Sequence, residues 1–221
     1  MNRTFCMLAI ATLCASSAAP VAISLGAQSS AAADSVLAEL RHGGLVLVFR
    51  HAHTDRSKMD DNNWSLADRT TQRNLSERGV EESKGIGAGM AALGIRVGQV
   101  LASPMYRTRE TAEHAFGRVD TTEFLRSRRT APEALALLTS APEAGVNRVL
   151  VTHNAYIMHH FTSRGHGEIA EGEAIVVRPL GVDGFTVLRR IKVGEWAAFS
   201  HTERGGTEPQ RQRLTMRAFR M

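Results

Sequence analysis

Two arginines and two histidines in this chain have the chemistry that phosphoryl transfer requires. Arg50 and His51 are adjacent, Arg107 lies in a second segment, and His153 lies in a third. A neutral imidazole can attack phosphorus and carry the phosphoryl group covalently. One guanidinium group can bind two phosphate oxygens at once. A second imidazole can stabilise the charge that develops on those oxygens. The four residues can form one site only if the fold brings three separate segments together.

The segments that precede these residues predict buried strands. Residues 45–49 form an apolar run between glycines and Arg50, which is typical of a strand buried on both faces. Residues 97–102 and 148–152 predict two further strands, which end just before Ser103 and just before His153. Ligands of open α/β sheets bind beyond the carboxyl ends of the strands. We therefore expect both histidines and both arginines to line one crevice.

Helical patterns alternate with these strands and complete the predicted domain. The predicted helices cover residues 35–41, 77–93, 105–116, 131–138 and 154–162. Residues 174–178 and 185–191 flank a Gly-Val-Asp-Gly turn and predict a hairpin, while residues 54–71 have the polar composition of a long loop. This order predicts one α/β domain with three layers, α/β/α, and a mainly parallel central sheet.

Four short motifs stand in order along the chain. They are Arg50-His51-Ala52, Leu75-Ser76-Glu77-Arg78-Gly79, Ser103-Pro104-Met105-Tyr106-Arg107-Thr108-Arg109-Glu110-Thr111-Ala112, and Leu150-Val151-Thr152-His153. Together they resemble the signature of the histidine phosphatase (phosphoglycerate mutase-like) superfamily over roughly residues 43 to 192. One departure is Ala52, which stands where the family pattern has glycine.

The resemblance implies a phosphoglycerate mutase-like fold and a phosphatase of the histidine acid phosphatase type, acting on phosphomonoesters. His51 would be the nucleophile and would form a phosphohistidine intermediate. Arg50, Arg107 and His153 would cradle the phosphoryl group of a small phosphorylated substrate. These arginines and histidines supply the positive charge, so neither a metal nor another cofactor is expected.

The acid that protonates the leaving group is harder to place from sequence. Glu173 is the leading candidate, because it begins a strand expected to run antiparallel to the others and so to start on the site side of the sheet. Asp55 lies four residues after His51 and is an alternative. Glu123 and Glu133 lie in the interval where many family members carry a glutamate, but neither belongs to a recognisable motif.

Other polar residues have two possible roles each. Arg73 and Asn74 lie where family members place substrate-contacting residues, and we expect them to bind substrate; loop capping is the alternative. His159, His160 and His166 raise the possibility of a metal site. We expect none, because adjacent helical residues point to different faces and no acid or cysteine completes a ligand set.

The N-terminal residues have the pattern of a secretory signal peptide. A short positive segment is followed by an apolar stretch and by small residues that end at Ala33, which predicts cleavage there or nearer Ala19. We therefore divide the chain into a signal peptide (1–33), a histidine phosphatase domain (34–200) and a basic, frayed tail (201–221). The expected location is periplasmic or secreted. Both cysteines, Cys6 and Cys14, lie in the signal peptide, so the mature protein would have no disulfide.

Composition limits the possible partners. The net charge of +5 is spread along the chain, which does not favour nucleic-acid binding. No apolar run is long enough for a membrane-spanning helix, so no stable membrane insertion is expected. The oligomeric state and the substrate are open. Besides a phosphatase, the residues fit a phosphate-ester-binding module without turnover. A phosphomutase is disfavoured, since no long insertion is present to enclose a phosphorylated intermediate.

Overall fold

The structure is a computed structural model that describes residues 35–126 and 132–199. The expected signal peptide and C-terminal tail lie outside the described residues. Within the described part of the chain, no helix has the length and apolar character needed to cross a bilayer.

A six-stranded sheet forms the centre of the described domain. Its strands are β1 (Val46–Arg50), β2 (Val97–Ala102), β3 (Asp120–Thr121), β4 (Asn147–Thr152), β5 (Ala174–Pro179) and β6 (Phe185–Ile191). The spatial order is β3-β2-β4-β1-β5-β6. Strands β3, β2, β4 and β1 pair in parallel, whereas β5 is antiparallel to both β1 and β6. The mainly parallel sheet and the antiparallel hairpin predicted from the sequence are thus confirmed.

Helices cover both faces of this sheet. They are α1 (35–42), α2 (Glu77–Ala92), α3 (Tyr106–Phe116), α4 (Pro132–Thr139), α5 (Asn154–Phe161) and α6 (195–199). One apolar core joins the sheet to α1, α2, α3 and α6, and a second joins it to α4 and α5. The domain therefore has the expected three layers, α/β/α.

The alternation of side chains along β1 explains its apolar sequence. Leu47 and Phe49 pack into the first core, while Val46 and Val48 pack into the second. All four are buried, and each such burial contributes about 1.5–3 kcal/mol. A strand that is covered on both faces has no polar face, so its sequence is continuously apolar.

The pairing register brings the ends of three strands to one edge. Arg50 at the end of β1 pairs with Thr152 at the end of β4, and Ala102 at the end of β2 pairs with Val151. The residues that follow β1, β2 and β4 therefore emerge side by side, as the sequence predicted.

The sequence missed two short elements. The strand β3 has only two residues, which is too short to show an alternating pattern, and α6 is a single turn. The predicted loop at residues 54–71 contains a 3₁₀ turn (Arg69–Thr71) near its end. Of the predicted helix at residues 131–138, the first residue lies outside the described part of the chain.

Candidate active site

The His51 side chain is positioned by the chain immediately after β1. Its backbone N–H donates to the Thr152 carbonyl at 3.0 Å, which continues the β1–β4 ladder, and its side chain is buried. The ring nitrogen Nδ1 lies 2.9 Å from the Ala52 carbonyl oxygen. A carbonyl can only accept a hydrogen bond, so Nδ1 carries the proton. The lone pair of a neutral His51 is therefore on Nε2, where it can act as a nucleophile.

Burial keeps the His51 imidazole neutral. Desolvation lowers the pKa of His51 to about 3; the Ala52 hydrogen bond opposes this, and the charge of Arg107 adds to it. At neutral pH the ring is therefore unprotonated. This is the protonation state that a nucleophilic histidine needs.

His153 faces His51 across the site. The two ring centroids are 5.6 Å apart, and the ring planes are inclined by 60°. His153 Nε2 lies 2.6 Å from the Ser103 hydroxyl, which orients the ring. Burial, followed by the charge of Arg107, holds the pKa of His153 well below its ordinary value.

Two arginines bring positive charge to the histidines. Arg50 Nη1 donates to the Ile169 carbonyl at 2.7 Å and to Glu168 at 3.1 Å. The Arg107 guanidinium is buried and donates to Asp60 at 3.0 Å. Desolvation lowers the pKa of Arg107, and the Asp60 carboxylate opposes that shift. A guanidinium remains protonated at neutral pH even so.

A third arginine, Arg73, contributes to the same electrostatic environment. Its charge lowers the pKa values of Arg107 and His153, which places it close to both. The Nε–H groups of Arg50, Arg73 and Arg107 are buried and have no hydrogen-bond partner within residues 35–126 and 132–199. The site is therefore rich in positive charge and hydrogen-bond donors, which suits an anion with several oxygens.

The Leu-Ser-x-x-Gly motif holds the segment after the nucleophile against α2. Ser76 caps the helix by accepting a hydrogen bond from the Gly79 N–H at 3.1 Å, and its hydroxyl lies 2.7 Å from His53 Nδ1. A Cβ atom on Gly79 would lie 2.0 Å from the His53 carbonyl oxygen. Only glycine allows this close approach.

The motif that contains Arg107 ties α3 to the nucleophile. Thr111 accepts a hydrogen bond from the Ala52 N–H at 3.0 Å and donates to the Arg107 carbonyl at 2.7 Å. One hydroxyl thus links the residue next to His51 with the phosphate-binding candidate on α3. In the motif around Arg107, Thr111 therefore has a structural role, in addition to the positive charge that Arg107 supplies.

The carboxylate of the predicted acid Glu173 is bound to Arg190. Its carboxylate accepts hydrogen bonds from Arg190 at 2.6 and 3.0 Å and from the Ala170 N–H at 2.8 Å. Burial favours a raised pKa for Glu173, but these hydrogen bonds outweigh it and the pKa is lowered. The Glu173 carboxylate is thus committed to Arg190, and its role as the acid stays a prediction.

Glu171 is a glutamate whose charge acts on His51. It accepts hydrogen bonds from the Thr54 hydroxyl at 3.0 Å and the Thr54 N–H at 3.4 Å, and lies 3.7 Å from Arg50 Nη2. Burial raises the pKa of Glu171, but the Thr54 hydrogen bonds and the charges of His51 and Arg50 produce a net lowering. Glu171 is therefore a carboxylate rather than a protonated acid at neutral pH.

The other candidate acids have contacts of their own. The exposed Asp55 carboxylate accepts from the Ser57 N–H at 2.9 Å, and Glu123 pairs with Arg126 at 2.6 Å. Glu133 is exposed on the first turn of α4.

The two predicted substrate-binding residues, Arg73 and Asn74, have different surroundings in the structure. Arg73 lies near Arg107, as described above, and its contact with substrate stays a prediction. The Asn74 side-chain amide donates to the carbonyls of Arg69 and Gln72, both at 2.9 Å, which is the loop-holding role left open as the alternative.

The residues considered for a metal lie elsewhere. His160 packs its ring against Tyr156, with centroids 4.4 Å apart, and His159 is exposed on the same helix. No group of three metal-binding side chains comes together in the part of the chain that the structure describes.

Sequence reasoning missed Asp60 and Glu171 as partners of the arginines. Asp60 binds both Arg107 and the Arg73 N–H, the latter at 2.8 Å. It is one of several aspartates in a polar loop, and nothing in its sequence context distinguishes it. Glu171 was visible beside Glu173, but its direction depends on an intervening glycine turn.

Several solved structures are similar to the described domain. No protein-family model and no curated protein matches the chain. The protein histidine phosphatase SixA complexed with tungstate aligns with a TM-score of 0.53 at 14% identity, covering 68% of this chain and 98% of that chain. Mycobacterial hydrolase 1 aligns with a TM-score of 0.48 at 15% identity, covering 67% and 97%. A phosphoserine phosphatase mutant from Entamoeba histolytica, in complex with phosphoserine, aligns at 0.47 and 12%, also covering 67% and 97%. The similarity to SixA spans nearly that whole protein, and the chain therefore shares the fold of this protein histidine phosphatase.

Proposed function

We propose that this protein is an exported phosphatase that hydrolyses phosphomonoesters through a phosphohistidine on His51. One observation carries the proposal: two buried, neutral histidines face each other at 5.6 Å, the charge of Arg107 acts on both, and that of Arg50 acts on His51. The Nδ1 proton of His51 is held by a carbonyl, which leaves Nε2 free to attack. A histidine phosphatase fold that places these residues at the ends of parallel strands adds to this support.

The proposed first step transfers the phosphoryl group to the enzyme. The Nε2 lone pair of His51 forms a bond to phosphorus while the bond from phosphorus to the ester oxygen breaks. The departing oxygen takes a proton from solvent water and leaves as the alcohol; the hydroxide left in solvent is neutralised by the proton that Glu171 accepts in the second step and then releases. Arg50 and Arg107 neutralise the phosphoryl oxygens, whose charge must be stabilised throughout the transfer.

The second step hydrolyses the phosphohistidine. Water attacks phosphorus, the P–N bond breaks, and the electron pair returns to His51 Nε2. Glu171 is a carboxylate whose charge acts on His51, so it is suited to accept a proton from the attacking water. Its hydrogen bonds to Thr54 hold that carboxylate in place.

Replacement of the nucleophile tests this mechanism. In His51→Ala the rate should fall by several orders of magnitude, while inorganic phosphate still binds to the arginines. An alkaline quench of the wild type with labelled substrate should leave the label on His51, whereas an acid quench should release it because a phosphoramidate is acid-labile. The matched control is His159→Ala, an exposed histidine on α5, which should keep full activity. Near-normal turnover by His51→Ala, or label on another residue, would contradict the mechanism.

A binding module without turnover would give a different result in the same experiments. Wild type would then bind phosphate esters saturably but release no phosphate and carry no label. A panel of phosphomonoesters assayed with purified protein separates these two outcomes.

The proposed export rests on the N-terminal sequence pattern alone. Mass spectrometry of protein from its native cells should find a mature N-terminus between about Ala19 and Ser35. A full-length chain recovered from the cytoplasm would refute export without affecting the proposed chemistry.

A further inference from the structure

We propose that Glu173 and Arg190 are positioning residues: their ion pair holds the segment of residues 168–172 in place, and this segment orients the Arg50 guanidinium for binding the phosphoryl group. This role rests on the proposed function and deepens it, because it names two residues outside the phosphate-binding groups on which phosphate binding depends.

The 168–172 segment leads into β5 and lies against the end of β1. Its Gly172 N–H donates to the His51 carbonyl at 3.0 Å, and its Ile169 carbonyl accepts from Arg50 Nη1 at 2.7 Å. The segment therefore contacts both the backbone of the nucleophile and the side chain of the neighbouring arginine. If the segment moves, the Arg50 guanidinium moves with it.

These contacts leave one edge of the Arg50 guanidinium for a ligand. Nη1 donates to the Ile169 carbonyl and, at 3.1 Å, to the Glu168 carboxylate. Nε is buried and has no hydrogen-bond partner among the described residues, and Nη2 lies 3.7 Å from Glu171, which is longer than a hydrogen bond. The N–H groups of Nε and Nη2 form an edge that can bind two oxygens of one oxyanion. The 168–172 segment therefore determines which edge of Arg50 is available to phosphate.

Glu173 and Arg190 hold this segment. The Glu173 carboxylate accepts from the Ala170 N–H at 2.8 Å and from Arg190 Nε and Nη2 at 2.6 and 3.0 Å. Arg190 Nη2 also donates to the Glu168 carbonyl at 3.4 Å. The Glu173 side chain is only 4% exposed, and the two-point contact with a guanidinium fixes the geometry of the pair. One arginine on β6 thus connects the start of the segment to the residue that follows its end.

The pair can act on phosphate through Arg50 without touching it. The described contacts of the Glu173 carboxylate are to Arg190 and Ala170, and those of the Arg190 guanidinium are to Glu173 and Glu168. A change in the pair should therefore alter phosphate affinity only when position 50 carries a guanidinium whose edge has to be oriented.

The test measures the dissociation constant of inorganic phosphate by titration calorimetry and kcat/KM for phenyl phosphate. Arg190→Lys keeps the charge but loses the fork that binds both Glu173 oxygens. It should raise the dissociation constant about fivefold and lower kcat/KM about tenfold. In an Arg50→Lys background there is no guanidinium edge to orient, so adding Arg190→Lys should change either value less than about twofold.

The matched control is Arg189→Lys, the same substitution on the neighbouring residue of β6. Arg189 Nη2 donates to Glu195 at 3.0 Å and not to the 168–172 segment, so phosphate affinity should keep its wild-type value. Thermal unfolding of all variants shows that they are folded when they are titrated. Unchanged phosphate affinity in Arg190→Lys, or an equal loss in the Arg50→Lys background, would overturn the positioning role.

A second comparison separates positioning from the acid role that the sequence predicts for Glu173. Glu173→Gln should lower kcat/KM for phenyl phosphate and p-nitrophenyl phosphate by the same factor, because both esters need Arg50. Loss of an acid would affect phenyl phosphate far more, since phenolate needs a proton on leaving and nitrophenolate does not. A loss that is about tenfold greater for phenyl phosphate would assign Glu173 as the acid and overturn the positioning role.

The calorimetric measurement also separates this role from the proposed function. If wild type binds phosphate but hydrolyses neither ester, the proposed function is wrong, and the phosphate affinities of the variants still decide whether the pair positions Arg50. If wild type binds no phosphate, both proposals are wrong.

Discussion

The contact between Gly79 and the residue that follows the nucleophile makes a quantitative prediction. A Cβ on Gly79 would lie 2.0 Å from the His53 carbonyl oxygen and 2.9 Å from its carbon, both backbone atoms. Non-bonded carbon and oxygen atoms do not approach this closely, so Gly79→Ala must move α2 and the 51–53 segment apart by about 1 Å. Overpacking of this kind costs about 1–3 kcal/mol.

Gly85 provides the matched control on the same helix. It is exposed, and a Cβ there would meet nothing within 4 Å. Alanine is favoured over glycine in a helix interior by about 1 kcal/mol, so Gly85→Ala should stabilise the protein by up to that amount. Gly79 lies in the first turn of α2 and Gly85 in its interior, so the difference in unfolding free energy between the variants reports the clash plus a propensity difference of less than about 1 kcal/mol.

Two assays check this reasoning. Thermal unfolding followed by circular dichroism should place Gly79→Ala below Gly85→Ala by roughly 4–8 °C for a difference of about 2 kcal/mol. The rate of phosphomonoester hydrolysis should fall about tenfold or more in Gly79→Ala only, because the displaced 51–53 segment carries the nucleophile. Equal stabilisation of the two variants, or full activity in Gly79→Ala, would refute the conclusion that Gly79 allows α2 to pack closely against the 51–53 segment.

Three further predictions concern charge. The pKa of His51 is lowered to about 3 and that of His160 to about 4, chiefly by burial, and that of His153 is well below its ordinary value. Below pH 6.5 the unfolded chain therefore binds more protons than the folded one. Stability should be complete above about pH 7 and fall between pH 7 and 5, by about 2 kcal/mol each for His51 and His160, as urea midpoints would show. His160→Phe, outside the site, should reduce this loss; an unchanged slope would contradict it. Asp60→Asn should tighten inhibition by inorganic phosphate about threefold or more, because the Asp60 charge competes for Arg107; weaker inhibition would count against Arg107 as a phosphate ligand. Activity should survive EDTA, since side chains supply the positive charge, and loss that a divalent ion restores would disprove that.

The fold was predictable from the sequence where local patterns are strong. Strand β1 is buried on both faces and is continuously apolar, and α2 begins after the Ser76 cap, so both were located to within one residue. The two-residue strand β3 carries no such pattern. It forms because β2 offers a free edge at Leu101 and Ala102, which is a tertiary property.

The candidate site was predictable because each of its four main residues lies at or just beyond the end of a strand or in the first turn of the next helix. The carboxyl ends of parallel strands lie at one edge of the sheet. This topology brings together Arg50, His51, Arg107 and His153. The partners of these residues were not predictable in the same way. The Asp60–Arg107 pair joins a residue of a long loop to a residue of a helix. The loop contains several aspartates, and the sequence does not indicate which of them pairs with Arg107.

The choice between Glu171 and Glu173 shows where sequence reasoning reaches its limit. The expectation that the start of β5 lies on the site side is confirmed, because Ala174 pairs with Phe49 and the Gly172 N–H donates to the His51 carbonyl at 3.0 Å. Alternation along an extended strand would place residues 171 and 173 on the same side. Gly172 breaks that alternation, since its φ of 76° lies in the left-handed region that glycine favours. Glu171 consequently reaches Thr54 and Arg50, while Glu173 turns to Arg190 on the neighbouring strand β6. A Glu-Gly-Glu sequence is compatible with either arrangement, and the positive φ of Gly172 is what separates the directions of the two carboxylates here.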